Sequence, residues 1–287
     1  MNTITGLNPL QLMLKKRIPP FQICWAQFAL ALKKTFNLKY FFTAVLISLS
    51  IYSQAQDINI LLKEANRLEM VPDEKASFRK YKEVLKLNAT NIVALNKCSE
   101  LCSRIGQREI SNAKLRDEYY LAAKIYAETA LKIDPNNSEA NCVMAIALGR
   151  SSLSKSGKEK ILNAREIKKY VDAAIKNDPQ NFKAWHVLGR WQYEISNLNG
   201  LERSLVKILY GGLPPATLKQ SIYAFEKART LRPEFILNYF EMSKAYKDSN
   251  NKIKAIACLQ TMFNLPTQTE DDPMIKEKGR ALIKTWN

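Results

Sequence analysis

The stretch Phe182–Thr217, which reads FKAWHVLGRWQYEISNLNGLERSLVKILYGGLPPAT, decides the fold that the sequence predicts. Trp185, Leu188 and Gly189 have the spacing of the first helix in a helix-turn-helix repeat. In such a helix the large residue fills a gap between helices, and the glycine lets the partner helix approach closely. An Asn-Asp-Pro turn that ends at Pro179 comes just before the stretch. We therefore predict that it begins one unit of a helical repeat array.

The same unit ends in a pattern that terminates its second helix. Ala228, Leu231 and Pro233 form an Ala-x-x-Leu-x-Pro ending, as a tetratricopeptide repeat requires. Similar endings recur upstream, with 44 residues between Pro135 and Pro179 and 54 between Pro179 and Pro233. An ordinary tetratricopeptide unit has about 34 residues. The sequence thus predicts an all-α, tetratricopeptide-like helical solenoid with elongated hairpins.

About five units fit into the chain, and a last helix would cover the open end of the array. Apolar residues at three-and-four spacing mark unit one from Ile58, unit two from Ile92, unit three from Ala140 and unit five from Tyr239. The capping helix is predicted at Pro273–Trp286, where the apolar residues again follow a helical period.

The fourth unit contains an additional helix between its two regular ones. Asn199 and Glu202 form an N-terminal capping box, and a Gly-Gly pair followed by two prolines ends the segment after residue 210. Between them lies an apolar stripe of Leu201, Leu205, Ile208 and Leu209. We expect this helix to pack across or beside the groove of the array.

The start of the chain has the order of a secretory signal peptide. Lys33, Lys34 and Lys39 precede an apolar run at Tyr40–Tyr52. The run is shorter than the roughly 20 residues that a membrane-spanning helix needs. Small residues at the end of this segment supply a cleavage site after Ala55.

We therefore predict a signal peptide at 1–55 and a repeat domain at 56–287, in a periplasmic or secreted protein cleaved after Ala55. Residues 1–32 are unusual for a signal peptide and leave open an over-extended gene start. The alternative is an uncleaved N-terminal segment that anchors the chain to a membrane.

The chain is basic. Its 44 Lys and Arg against 27 Asp and Glu give a formal net charge of +17, and +11 remains without the predicted leader. The positive electrostatic potential of such a chain attracts acidic partners, anionic lipid surfaces or nucleic acid. The basic residues are spread through helices that also contain acids, and they lack an aromatic-interleaved basic motif, so we expect no nucleic-acid partner.

The sequence contains no recognisable pattern of catalytic, cofactor-binding or metal-binding residues. His186 is the only histidine and lacks a nucleophile motif, a phosphate loop or an acidic cluster beside it, so we expect a structural role. Cys98 and Cys102 lie four residues apart on one helix face, where a disulfide would be strained. We expect both thiols to be buried and not paired with each other. We predict no enzyme activity, no cofactor and no metal.

The fourth unit also carries a resemblance to a known family. The motifs LGRW at 188–191, YE at 193–194, LER at 201–203 and GLPPAT at 212–217 resemble the regulator of microtubule dynamics family, a divergent tetratricopeptide group. The likeness extends over 58–286. It implies an all-helical protein-interaction or lipid-contacting domain without catalysis, in a family whose animal members associate with microtubules or organelle contact sites. The predicted leader departs from that setting and indicates an exported, bacterial-type relative.

Five residues of the fourth unit form the candidate partner-binding surface: Arg190, Trp191, Tyr193, Glu194 and Arg203. The elongated hairpins and the additional helix are expected to converge near them. A competing interpretation places Trp191 and Tyr193 in the core and pairs Arg190 with Glu194, four residues further along the helix.

The predicted function is a non-catalytic helical-repeat scaffold that binds a protein or peptide segment in its concave groove. One alternative is a carrier or sensor of an anionic lipid or other amphiphile, which the basic charge and the additional apolar helix suggest. A further alternative is a microtubule-associated protein, as the resemblance implies. The identity of the partner and the oligomeric state stay open.

Overall fold

A computed structural model of the chain describes residues 57–152, 155 and 157–286, together with Thr43 and Val45. Apart from those two positions, the predicted leader and its cleavage site after Ala55 lie outside the described residues. The residues from Asp57 onward form one unit, and everything below concerns this unit.

The described part of the chain consists of twelve helices and contains no strand, which confirms the all-α prediction. The helices are α1 (57–70), α2 (Glu74–Leu87), α3 (Ile92–Arg108), α4 (Ala113–Ile133), α5 (Ser138–Ser151), α6 (Gly157–Asn177), α7 (Phe182–Ser196), α8 (Gly200–Tyr210), α9 (Leu218–Leu231), α10 (Ile236–Asp248), α11 (Lys252–Asn264) and α12 (Asp272–Trp286).

These helices pair into five hairpins and a cap, as the repeat pattern predicts. The pairs are α1 with α2, α3 with α4, α5 with α6, α7 with α9, and α10 with α11. Successive hairpins stack through their first helices, so that α3 contacts α5, α5 contacts α7, and α7 contacts α10. The last helix, α12, lies against α10 and α11. The predicted capping helix is therefore confirmed.

Asparagine side chains set where the first helices begin. Asn91, Asn137 and Asn181 each precede a first helix and accept a hydrogen bond from the backbone N–H three residues later, at 2.9 to 3.0 Å. An N-terminal cap of this kind satisfies one of the four backbone donors that a helix leaves unpaired, and is worth about 1 kcal/mol. The repeated turn in the sequence thus becomes a repeated helix start.

Gly189 lets α7 and α9 approach each other closely, as the repeat spacing predicts. A β-carbon added at this position would lie 2.7 Å from a carbon of the Phe225 ring. The hydroxyl of Ser221 on α9 donates to the Gly189 carbonyl at 2.8 Å. Any larger residue at 189 would therefore push the two helices apart.

The additional helix of the fourth unit forms as α8. Its capping box is present in both directions, between Asn199 and Glu202 at 2.9 Å each way. It ends at Gly211, whose φ of 74° lies in the left-handed region that glycine adopts without strain. The expected separate helix is therefore confirmed.

Candidate functional site

The first helices of successive units carry charged side chains that meet across the array. We call this surface of α3, α5, α7 and α10 the inner face. Lys183 on α7 donates to Glu100 on α3 at 2.9 Å and also donates to Glu139 on α5. Lys97 on α3 pairs with Glu69 on α1 at 2.8 Å. Lys183 therefore reaches past α5 to α3, and charged side chains of successive first helices meet on this face.

Ion pairing keeps Lys183 and Glu100 ionised although both side chains are largely buried. Burial alone would lower the pKa of Lys183, but Glu100 and Glu139 raise it above its usual value. Burial alone would raise the pKa of Glu100, but Lys183 and Lys97 lower it. Both side chains are therefore charged at neutral pH, and the inner face is ionic rather than apolar.

A second ionic group joins the two ends of the array, and we call it the end clasp. It consists of Glu74, Arg104, Arg108, Glu270 and Asp271. Arg108 pairs with Glu74 at 2.7 Å and with Asp271 at 3.0 Å, and Arg104 also pairs with Glu74. The backbone N–H of Glu74 donates to the Glu270 carboxylate at 2.6 Å. The segment before α12 therefore lies against the start of α2 and the end of α3.

Arg190 lies in a third ionic group on the inner face. One of its nitrogens is 3.6 Å from Glu194 and another is 3.6 Å from Glu241 on α10. Lys244 pairs with Glu241 at 2.5 Å. Burial would raise the pKa of Glu241, but Arg190 and Lys244 lower it, so this nearly buried carboxylate is ionised. The i,i+4 pair of Arg190 with Glu194 that the competing interpretation expects is present.

The other residues of the candidate surface point in different directions. Trp191 is 6% exposed, and its indole nitrogen donates to the carbonyl of Ala164 on α6 at 2.7 Å. Tyr193 donates to Asp248 at 2.6 Å. Arg203 turns back to cap α7, where it donates to the carbonyls of residues 195, 196 and 198. The structure thus brings only Arg190 and Glu194 together, and partner binding by these five residues stays a prediction.

α8 presents its apolar stripe to solvent. The stripe is more than two-fifths exposed at every position, with Leu201 at 71% and Ile208 at 78%. Polar contacts join α8 to the array: Arg203, on the side opposite the stripe, caps α7, and Arg165 on α6 donates to the carbonyl of Gly212, just beyond the end of α8, at 3.1 Å. This orientation reverses that of an ordinary surface helix, whose apolar face is turned to the core.

His186 and the cysteines are embedded in the helix packing. His186 is 5% exposed, and its Nδ1 lies 3.1 Å from the side-chain oxygen of Asn238. Burial lowers its pKa to about 4, so the ring is neutral at pH 7. Cys98 and Cys102 are buried free thiols, and burial raises the pKa of Cys102 to about 12. These groups have the environment of structural residues.

Two pockets are open to solvent on the array, and both have charged linings. One, of about 230 Å³, lies among α9, α10 and α11 and includes Tyr239 and Tyr246. The other, of about 510 Å³, lies among α4, α5 and α6 and includes Tyr120 and Leu148. Among residues 57–152, 155 and 157–286, no group of three metal-ligating side chains converges. No helix in the same ranges has the length and apolar character needed to cross a membrane.

Sequence reasoning missed the ionic groups that cross the array. Glu74, Asp271 and Glu241 belong to helices or turns that are distant in sequence, and each is less than one-tenth exposed. A charged residue in a helical pattern is normally assigned to solvent. The available signal was position in the repeat: Glu100, Lys183 and Glu241 lie on first helices, whereas Glu74 and Asp271 had no such signal.

Comparison with solved structures supports the fold. A thermophilic TPR protein from Thermus thermophilus superimposes with a TM-score of 0.56, at 12% identity, over 79% of this chain and 99% of that chain. At this identity the likeness shows the fold alone.

Sequence relatives come from animals and are regulators of microtubule dynamics. Protein 3 of Xenopus laevis is 32% identical over 162 residues, which are 56% of this chain and 35% of that protein. Protein 3 of Rattus norvegicus is 26% identical over 227 residues, 77% of this chain and 47% of that protein. Protein 1 of Caenorhabditis elegans is 27% identical over 169 residues, 59% of this chain and 75% of that protein. The chain thus matches half or less of both protein 3 relatives.

These relatives correct the expected location. The prediction of an exported, periplasmic or secreted protein is wrong, because the relatives are eukaryotic regulators of microtubule dynamics, which are not periplasmic. The alternative of an uncleaved N-terminal anchor concerns residues outside those that the structure describes.

One family model covers most of the chain. It is described as Regulator of microtubule dynamics protein 1-3 and matches residues 61–287. This range includes the four motifs between residues 188 and 217 on which the resemblance rests. The chain therefore belongs to the regulator of microtubule dynamics protein 1-3 family.

Proposed function

We propose that this chain is a non-catalytic scaffold that binds a protein or peptide segment along its inner face. The observation that carries the proposal is the ionic lining of that face, which successive first helices supply through Lys97, Glu100, Lys183, Arg190 and Glu241. A hairpin stack can be held together by apolar packing alone, so this many charges turned inward are not needed for folding.

In ion pairs of this kind, a charged group of a ligand can take the place of one partner. The side chains of Lys97 and Lys183 are 28% and 18% exposed, so water reaches both ion pairs. The attraction within such a pair is largely offset by the loss of hydration of both charges, so a segment that supplies a charge of the same sign can replace one partner as long as the pair is restored. The complementary arrangement of charge then selects which segment binds.

Selection from a random peptide display library on the immobilised full chain tests this proposal. Selected peptides should lose affinity at least tenfold for a Lys183→Glu/Arg190→Glu variant. They should keep it for Lys160→Glu/Lys207→Glu, which makes the same change of charge away from the inner face. Failure to enrich any peptide, or an equal loss in both variants, would contradict binding on the inner face.

An action on microtubules is a second candidate, and family membership favours it. The net charge of +17 would support contact with an acidic partner surface. Sedimentation of the purified full chain with assembled microtubules tests it. Electrostatic binding should weaken as the salt concentration rises from about 0.05 to about 0.3 M, since the screening length shortens over that range. A chain that stays in the supernatant at every salt concentration would remove this candidate.

A third candidate function is that of a carrier of an anionic lipid or other amphiphile. One observation supports it, the exposed apolar stripe of α8. The two pockets are open and have charged linings, so neither resembles the enclosed apolar cavity that an acyl chain needs. Native mass spectrometry of the purified protein separates the candidates. A co-purifying lipid would favour the carrier, and a ligand-free mass together with peptide affinity would favour the scaffold.

A further inference from the structure

Two neighbouring arginines of α3 hold acidic side chains from the other end of the chain. Arg108 is 3.0 Å from Asp271 and 3.2 Å from Glu270, and Arg104 is 4.0 Å from Asp271. The two acids belong to residues 266–271, which lie between α11 and α12 and which we call the acidic turn. A short acidic segment of the chain therefore already lies on these arginines.

The same two arginines continue the ionic lining of the inner face. Arg104 is 3.6 Å from Glu100, the carboxylate to which Lys183 donates. Arg108 follows four residues later, on the same side of α3. The acidic turn therefore covers one end of the surface on which we place the ligand.

The site makes separate contacts with two consecutive acidic residues. The backbone N–H of Glu74, at the start of α2, donates to the Glu270 carboxylate at 2.6 Å, and the N–H of Glu270 donates to the Glu74 carboxylate at 3.4 Å. The Asp271 carboxylate accepts from the guanidinium of Arg108 at 3.0 Å. A helix start and a guanidinium both favour a carboxylate. The arrangement thus fits a pair of adjacent acids.

Glu74 and the acids of the turn have different roles at these arginines. Glu74 is 1% exposed, lies in the first turn of α2, and pairs with Arg108 at 2.7 Å and with Arg104. The side chains of Glu270 and Asp271 are 29% and 10% exposed, so the turn lies on the solvent side of the site. Glu74 is therefore a fixed partner of the arginines, and the acidic turn is a partner that can be exchanged.

The cap helix α12 is anchored independently of the acidic turn. Ile275 packs in the apolar cluster of the last unit, together with Met242 on α10 and Leu259 on α11. Lys276 donates to the carbonyl of Phe263 at 3.2 Å. The apolar cluster of the first unit consists of other residues, from α1 to α4. Release of the acidic turn therefore breaks ionic contacts and leaves the apolar packing at both ends intact.

We propose that Arg104 and Arg108 are the docking point for an acidic segment of a partner protein, and that the acidic turn occupies this point until the partner displaces it. This inference rests on the proposed function and names the chemistry of the segment and its regulation. Two adjacent acids of the partner would restore the pairs of both arginines, so the exchange leaves no buried charge without a counterion. The acids of the turn then move into water.

The covalent link gives the acidic turn an advantage over a free ligand. A segment of the same chain competes at an effective concentration in about the millimolar range, whereas a partner binds at its own, lower concentration. The wild-type chain should therefore bind an isolated acidic peptide weakly. Loss of the acids of the turn should increase the affinity.

Fluorescence anisotropy on the full chain tests the docking point. The probe is a labelled peptide with the sequence of residues 266–273, PTQTEDDP, and its control carries Glu270→Gln, Asp271→Asn and Asp272→Asn. In the full chain, Glu270→Gln/Asp271→Asn removes the charges of the turn and keeps Asp272, which accepts from the N–H of Gln268 at 2.7 Å. We expect this open variant to bind the acidic probe at least tenfold more tightly than the wild-type chain does, and neither protein to bind the control peptide.

Matched variants separate the docking point from the general charge of the protein. Glu166→Gln/Asp172→Asn makes the same change of charge on α6, a second helix, and should leave the affinity at the wild-type value. Adding Arg104→Gln to the open variant should cancel the gain in affinity, whereas adding Lys207→Gln on α8 should not. An equal gain in both acid variants, or a gain that survives Arg104→Gln, would overturn the inference.

Hydrogen exchange on the wild-type chain gives a readout that needs no variant. The N–H of Glu270 is bonded to Glu74 only while the acidic turn is in place. The probe, added at about millimolar concentration, should therefore speed the exchange of this N–H. Unchanged or slower exchange while anisotropy shows the probe bound would overturn the displacement.

The outcomes also separate this inference from the proposed function. Display-selected peptides that bind the wild-type chain and the open variant equally would leave the proposed function intact and overturn the inference. Failure of every peptide on both proteins would remove both. If thermal unfolding shows that the open variant does not fold, Glu270→Gln alone takes its place, and the same comparison decides.

Discussion

Arg108 on α3 donates a hydrogen bond of 3.0 Å to Asp271, a residue 163 positions later in the chain. The same guanidinium pairs at 2.7 Å with Glu74, which is 1% exposed. This contact joins the segment before the cap to the second and third helices. The array is therefore held at both ends, in contrast to a solenoid whose units contact only their neighbours.

The end clasp should contribute strongly to stability. Arg108→Met would leave the buried Glu74 and Asp271 short of one cation, and loss of one partner from a buried ion pair costs about 3 to 5 kcal/mol. Burial already raises the pKa of Glu74 despite its two arginines, so this carboxylate depends on them. Urea unfolding should report the loss as a lower midpoint.

A double-mutant comparison sharpens this test. Glu74→Gln/Arg108→Met removes both members of one pair, and it should cost less than the sum of the two single changes because neither member leaves the other without its partner. Strict additivity would contradict coupling across the clasp.

Close packing at Gly189 predicts a pair of glycine variants with opposite outcomes. Gly189→Ala places its β-carbon within 2.7 to 2.9 Å of the Phe225 ring and should destabilise the chain by about 1 to 3 kcal/mol. Gly200→Ala begins α8 with nothing within 4 Å of the new β-carbon, so it should be neutral or stabilising by up to about 1 kcal/mol. Equal effects of Gly189→Ala and Gly200→Ala on the unfolding midpoint would contradict the close packing of α7 against α9.

The repeat units, the capping helix and the separate helix α8 could be predicted because local spacing encodes them. Gly189 and the Asn-containing turns are examples, since each acts on atoms within its own unit. The end clasp could not be predicted in this way. Arg108 and Asp271 are ordinary helix-end and turn residues in sequence, and only the curvature summed over five units brings them together.

The sequence also could not predict which side of α8 contacts the array. An apolar stripe shows which side of a helix is apolar, but not whether that side meets the core. In this chain the polar side is bound by Arg203 and Arg165, which donate to backbone carbonyls. The candidate surface was likewise chosen by proximity in sequence, although Trp191 and Tyr193 turn toward different neighbours.

The exposed stripe of α8 should tolerate polar substitution. Leu201→Gln/Ile208→Gln changes two side chains that are more than two-thirds exposed, so the free energy of unfolding should change by no more than about 0.5 kcal/mol. Ile236→Gln, at a position that is 1% exposed, provides the contrast and should cost several kcal/mol. A large loss in the α8 variant would show that the stripe is covered in solution, and light scattering would then show whether a second copy covers it.

Histidine titration should make the stability depend on pH between about 5 and 7. Burial lowers the pKa of His186 to about 4, against about 6.5 in an unfolded chain. The unfolded state therefore binds the additional proton in this range, and the folded state loses stability as the pH falls. The loss should reach about 2 kcal/mol between pH 7 and pH 5, at 1.36 kcal/mol for each pKa unit. Because the chain contains one histidine, His186→Gln should remove this slope from urea midpoints measured at each pH, at the cost of a lower stability at pH 7. An unchanged slope in the variant would assign the pH dependence to carboxylates and would contradict a neutral, buried ring.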